Sequence, residues 1–102
     1  MNLTEVRVYE VNSVKARSIL ANVSLNFEDT LVITGCRLID NGSRGRFLSM
    51  PSEKVPDRDG KIRYIDRAYI MDKRMAEDVL KTVETVYDKM YRDCQKEAKY
   101  RL

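Results

Sequence analysis

The residues able to do chemistry in this chain are bounded first by one that is missing. Its 102 residues include no histidine, which removes the usual general base at neutral pH and the commonest metal ligand. Two carboxylate pairs could be tried as acid and base, Asp57/Asp59 and Asp66/Asp72. A general acid needs a raised pKa, and a raised pKa needs burial. These four lie in polar, turn-rich sequence and read as turn and cap residues. Ser43, Ser49 and Ser52 lack a histidine to activate them, and a Ser–Lys pairing with Lys54 has no supporting motif. Asn41-Gly42-Ser43-Arg44-Gly45 fits neither the P-loop nor the dinucleotide fingerprint and reads as a turn. Cys36 and Cys94 are far apart with no C-x-x-C, so no zinc site is expected. Both read as buried thiols in a reducing cytoplasm rather than as a disulfide. The expectation is a non-enzymatic protein with no metal, cofactor or small-molecule substrate.

The basic residues are the other candidates. Arg44, Arg46, Lys54, Arg58, Lys61, Arg63, Arg67, Lys73 and Arg74 crowd the middle of the chain. Residues 43–71 hold seven Lys/Arg against four Asp/Glu, whereas residues 1–42 hold four against five, so the net +3 is concentrated there. Guanidinium forks match phosphate oxygens and lysines act as point charges. Lys73 and Arg74 at the start of a helix run against the macrodipole. The same cluster reads equally as a solvated surface with interspersed acids.

The elements that must position these residues fall into two regimes. Thr4–Val11 alternates and reads as a strand, followed by a turn at Asn12-Ser13. Ala21, Val23, Leu25 and Phe27 alternate with polar residues, which puts one apolar face on a second strand. Glu28-Asp29-Thr30 is a tight turn. Residues 31–39 form a third strand, with Gly35 marking a bulge or a close backbone approach. Arg46–Met50 is a fourth strand stopped by Pro51, residues 51–60 are a connection that turns at Asp59-Gly60, and Lys61–Asp66 is a fifth. From Lys73 the period changes. Ala76, Val79, Leu80, Val83, Val86, Tyr87, Met90, Cys94 and Ala98 follow helical spacing, with Asp72 as the cap. Unbroken to residue 99, such a helix would be about 40 Å long, and its last turns would overhang the sheet, kink, or pack on another subunit.

At residues 37–52 the sequence becomes specific. Arg37-Leu38-Ile39-Asp40, a glycine loop, and Gly45-Arg46-Phe47-Leu48-Ser49-Met50-Pro51-Ser52 resemble the signature of the SpoVG family, whose pattern reads F-V-A-M-P-S followed by basic residues. Pro56, Asp59-Gly60 and Arg63 fit the stretch that follows, with a short insertion at Asp57-Arg58. The likeness covers roughly residues 3–90. It implies a small antiparallel sheet followed by a C-terminal helix, a homodimer, and a site-selective DNA- and RNA-binding regulator of bacterial gene expression linked to sporulation and septum formation. Lys54 and Arg63 are carried over as nucleic-acid contacts, and Arg74 falls near a family arginine at the helix start. Arg58, Lys61, Arg67 and Lys73 extend the site by charge and proximity. Two departures stand out. Glu53 occupies the first basic position after M-P-S, and the family's R-D-I-A-H-P is Arg63-Tyr64-Ile65-Asp66-Arg67-Ala68. Arg58 and Arg67 are expected to compensate for Glu53.

The expected fold is α+β: one SpoVG-like domain over residues 1–102, its sheet of four to five antiparallel strands in residues 1–70 and one long helix or two consecutive ones in residues 71–102. The Ala21/Val23/Leu25/Phe27 row should meet Val79/Val83/Val86/Met90. Spare apolar surface favours a twofold dimer. No apolar run reaches the roughly 20 residues of a membrane span, and the N-terminus lacks a signal-peptide pattern, so the expected location is cytoplasmic. The sheet lacks the exposed aromatic pair of an RNA-recognition motif, which disfavours base stacking there. The competing reading is a protein-interaction module without nucleic acid.

Overall fold

The structure, a computed structural model, describes residues 1–11 and 18–102. The expected turn at Asn12-Ser13 lies outside the described residues. Strands β1 (Leu3–Glu10), β2 (Ile19–Phe27), β3 (Leu31–Asp40) and β4 (Arg46–Ser49) run antiparallel to their neighbours. Helix α1 (Lys73–Arg92) covers one face of this sheet, which a C-terminal strand extends to the order β4-β3-β2-β1-C-terminal strand. Between β4 and α1, strands β5 (Ser52–Pro56) and β6 (Ile62–Asp66) pair only with each other. The C-terminal strand is β7 (Glu97–Arg101).

The core follows from alternation on one side and helical spacing on the other. Val6 and Val8 of β1, Ala21, Val23, Leu25 and Phe27 of β2, and Cys36 and Leu38 of β3 are all buried. They form one cluster with Val79, Val83, Val86, Tyr87 and Met90 of α1, as the period-2 and period-3.6 patterns require. The turn after β2 has Glu28 and Asp29 at φ 56° and 53°. The Thr30 N–H donates to the Phe27 carbonyl at 3.0 Å across these two residues, and positive φ at both suits the right-handed twist of the flanking strands. Asn26 holds the turn, its Oδ1 accepting from the Asp29 N–H at 2.9 Å. The register of β2 against β3 slips by one residue between Val23/Cys36 and Leu25/Ile33. Gly35, at φ 81°, sits in that bulge.

Two elements differ from the sequence expectation. Residues 51–60 are not only a connection, because Ser52–Pro56 forms β5 and pairs with β6. The helix also stops at Arg92, so Glu97–Arg101 is a strand rather than the end of an overhanging helix. Asp72 caps the helix start, its Oδ1 accepting from the Met75 N–H at 3.1 Å. At the other end Cys94 takes φ 55°. The Gln95 N–H donates to the Met90 carbonyl and the Cys94 N–H to the Tyr91 carbonyl. This is a Schellman ending with cysteine where glycine is usual. Cys94 is therefore exposed, against the expectation of a buried thiol, while Cys36 is buried.

The chain then returns along β1. β7 is fixed there by Glu5, which lies on the face away from the helix and is nonetheless 4% exposed. Its carboxylate accepts from Arg7 Nε at 2.8 Å and faces Arg101 Nη1 at 3.4 Å and Lys99 Nζ at 3.8 Å. Arg101 also reaches Asp29 at 2.8 Å, tying β7 to the β2–β3 turn. The Arg7 hydrogen bond, aided by the charges of Lys99 and Arg101, holds the Glu5 carboxyl below its ordinary value against the opposing effect of desolvation.

Two outcomes follow from these groups. Burial pushes the Cys36 thiol up to about 11, and the thiolate is the reactive form. A thiol-reagent assay of the native protein should show one fast thiol, lost in Cys94→Ser, with Cys36 reacting only in denaturant. Two fast thiols would contradict the buried position of Cys36. For Glu5, a folded-state pKa below the unfolded one gives stability that is present above 4.5 and lost as pH falls through the folded value. Glu5→Gln should therefore melt below wild type near neutral pH, and the two melting curves should converge in acid. A constant gap from about pH 7 to about pH 3 would remove Glu5 from this role.

Candidate functional site

The β5–β6 ribbon is built around one aspartate. Asp57 Oδ1 accepts from the Asp59 and Lys61 N–H groups, both at 2.9 Å, and Gly60 supplies φ 77°. Asp57 and Asp59 are thus turn residues. At the ribbon's base the Arg67 N–H donates to the Pro51 carbonyl at 2.7 Å. Every residue of β6 is exposed. The pairing sets Lys54 opposite Tyr64 and Val55 opposite Arg63, so Lys54 and Arg63 point to opposite faces of the ribbon.

On one face, Glu53 is paired with Arg67, whose Nε lies 2.7 Å from Glu53 Oε2. The acidic departure from the family pattern is thus neutralised by Arg67 from the other end of the same hairpin. The face shared by Lys54 and Tyr64 borders the main sheet. Lys54 Nζ stands 5.9 Å from the Tyr64 ring centroid, within cation–π range. Arg37 of β3 points to the sheet face away from the helix, between its register partners Asn22 and Ser49. Arg37, Ser49, Ser52, Lys54 and Tyr64 line one cavity of about 370 Å³ with Gly35 and Pro51 at its edge. No hydrogen bond joins Lys54 to either serine among the described residues.

The expected basic cluster is divided by this geometry. Lys54, Arg58, Lys61 and Arg63 stand on the ribbon, and none forms an ion pair among the described residues. Arg67 is spent on Glu53. Lys73 borders an apolar groove of about 320 Å³ with Phe47, Tyr69, Ile70 and Leu80. Arg74 borders a different cavity, beside Asp72 and Asp78. Arg46 lies 2.8 Å from Asp88 and 5.3 Å over the Tyr87 ring, which ties β4 to α1. The Asp88 hydrogen bond raises the Arg46 pKa further. Arg37 and Tyr64 are absent from the sequence-based set. Their signal was present in part: Arg37 opens the Arg37-Leu38-Ile39-Asp40 motif, between the inward-facing Cys36 and Leu38. Among the described residues no group of three or more acidic or cysteine side chains could hold a metal ion, and no helix is long and apolar enough to cross a membrane.

Comparison with known proteins agrees with this architecture. The SpoVG family model matches residues 1–89. A protein of Clostridium perfringens (strain SM101 / Type A) named "Putative septation protein SpoVG" is 32% identical over 90 residues, covering 88% of this chain and 92% of its own. Proteins of the same name from Brevibacillus brevis and Symbiobacterium thermophilum are 32% and 35% identical, over 88% and 90% of this chain and 87% and 61% of theirs. The M-P-S block, the antiparallel sheet packed on α1 and the match over residues 1–89 converge: the chain belongs to the SpoVG family.

Proposed function

We propose that this protein is a homodimeric, site-selective nucleic-acid-binding regulator acting in sporulation and septum formation. The names of its relatives support the septation link. The observation that carries nucleic-acid binding is the ribbon: four cations, Lys54, Arg58, Lys61 and Arg63, on one two-stranded projection and without ion pairs among the described residues. Paired cations elsewhere are held by the fold, whereas these are available to phosphate. Phosphate contacts supply affinity and position, and base contacts or shape supply selectivity. Cations on both faces of the ribbon suit a partner that passes around it rather than a flat charged surface.

The dimer is supported by apolar surface that one helix cannot cover. Phe47 is 42% exposed and Tyr69 63%, and both border the groove beside Lys73. A second copy buried there would also present two ribbons to one nucleic acid. Light scattering should give twice the monomer mass, and Phe47→Asp should return the monomer mass without loss of helical signal. A wild-type monomer would remove the dimer from this reading.

The test of binding is a salt series on labelled duplex and single strands. Replacing Lys54 and Arg63 together by alanine should weaken binding across sequences. It should also make log K against log salt shallower by about 1.4–1.8, the loss of two phosphate contacts. Unchanged affinity and slope would remove these two residues from the interface. Absence of binding by the wild type at low salt would favour the protein-interaction reading.

A further inference from the structure

The cavity between the ribbon and the sheet combines an exposed ring with cations that carry no carboxylate partner among the described residues. Tyr64 lines it and is 67% exposed with Lys54 Nζ 5.9 Å from its ring centroid, so a base stacked there takes the ring face that Lys54 does not cover. Arg37 and Lys54 line it as well, and neither forms an ion pair among the described residues. By contrast Arg7, Arg46, Arg67, Lys99 and Arg101 are all paired with carboxylates. Two hydroxyls, of Ser49 and Ser52, complete the polar lining. An aromatic face, two cations and two hydroxyls within about 370 Å³ match the parts of a nucleotide: base, phosphate and sugar. The volume falls near the lower end of the roughly 300–1,000 Å³ of small-ligand clefts, which suits one nucleotide unit.

We infer that this cavity is a subsite for one unpaired nucleotide of single-stranded nucleic acid, with its base stacked on Tyr64 and its phosphate held by Arg37 and Lys54. The inference rests on the nucleic-acid reading above and adds that the ligand presents an unstacked base. Bases inside a duplex are stacked on their neighbours and cannot lie on a protein ring unless they are extruded. Stacking platforms beside a cationic groove are how single strands are bound with little sequence preference. The platform here stands on the ribbon, not on the sheet face that the sequence disfavours for stacking. Tyr64 also replaces the aspartate of the family's R-D-I-A-H-P pattern.

Fluorescence anisotropy with labelled oligothymidylate and with a duplex of equal length, each over a salt series, tests this. Tyr64→Ala should weaken oligothymidylate binding by about five- to a hundred-fold, leave duplex binding unchanged and leave the salt slope unchanged. Tyr64→Phe should keep wild-type affinity, because the ring rather than the hydroxyl does the stacking. Arg37→Ala and Lys54→Ala should each flatten the single-strand salt slope by about 0.7. Oligothymidylate affinity unmoved by Tyr64→Ala, or an equal loss on duplex, would overturn the subsite and leave the regulator reading standing. Wild-type binding to neither ligand would overturn both. Tyr64 is exposed, so the alanine variant should melt with the wild type, and that melting curve serves as the folding control.

Discussion

A single helix has one apolar stripe, and that stripe can cover one face of one sheet. Most of this molecule is arranged around that limit. The inward row of β1, β2 and β3 is buried against Val79, Val83, Val86, Tyr87 and Met90. Truncating any one of the larger of these residues would cost about 2–5 kcal/mol, a large part of the stability of a small domain. Among the described residues the opposite face has no helix over it and is largely polar, with the ribbon bordering it at Arg37 and Ser49. It carries Arg7, Asn22, Arg37, Lys99 and Arg101, and Glu5, the one buried acid among the described residues, is surrounded by cations. The ribbon of β5 and β6 has no helix to rest on, so its residues stay exposed.

The fold was legible in the sequence wherever one local pattern had one physical solution. The Ala21–Phe27 alternation, the Glu28-Asp29 turn, the Gly35 bulge and the Asp72 cap are each set by neighbouring residues. The misread segments are those in which local signals favour another structure or several at once. Ser52–Pro56 has no apolar alternation and ends in proline, and it becomes a strand only because the Asp57–Gly60 turn brings β6 alongside. The helix end lacks the glycine that usually marks it, because Cys94 adopts the left-handed conformation in its place. Cys94 and Ala98 also continue the helical spacing, so periodicity alone carries the helix through the turn and into β7.

The candidate site divides in the same way. Residue type identified the cations, but type does not say which are neutralised. Arg46 and Arg67 have the same chemistry as Arg63, yet Asp88 and Glu53 hold them. The Glu53–Arg67 pair joins the two ends of a hairpin, a relation visible only once the β5–β6 register is known. Arg37 opens a recognisable motif, but its position beside Lys54 and Tyr64 depends on where the ribbon leaves the sheet. Charge was thus readable from sequence, and availability of charge was not.

β7 lies beyond the part of the chain that the family model matches, and it pairs with the first strand. Glu5 and Arg101, opposite each other in that ladder, are 96 residues apart in sequence. Every other ladder joins strands much nearer along the chain. Loop-closure entropy rises with the length closed, and non-local pairings are the slow ones to form. By that measure the β1–β7 ladder is the costliest to close from the unfolded chain, and prior pairing of β1, β2 and β3 shortens the loop it must close. Until β7 docks, the first strand presents an open row of backbone donors and acceptors, a template for other strands. Completion of this sheet is also the step that covers the β1 edge.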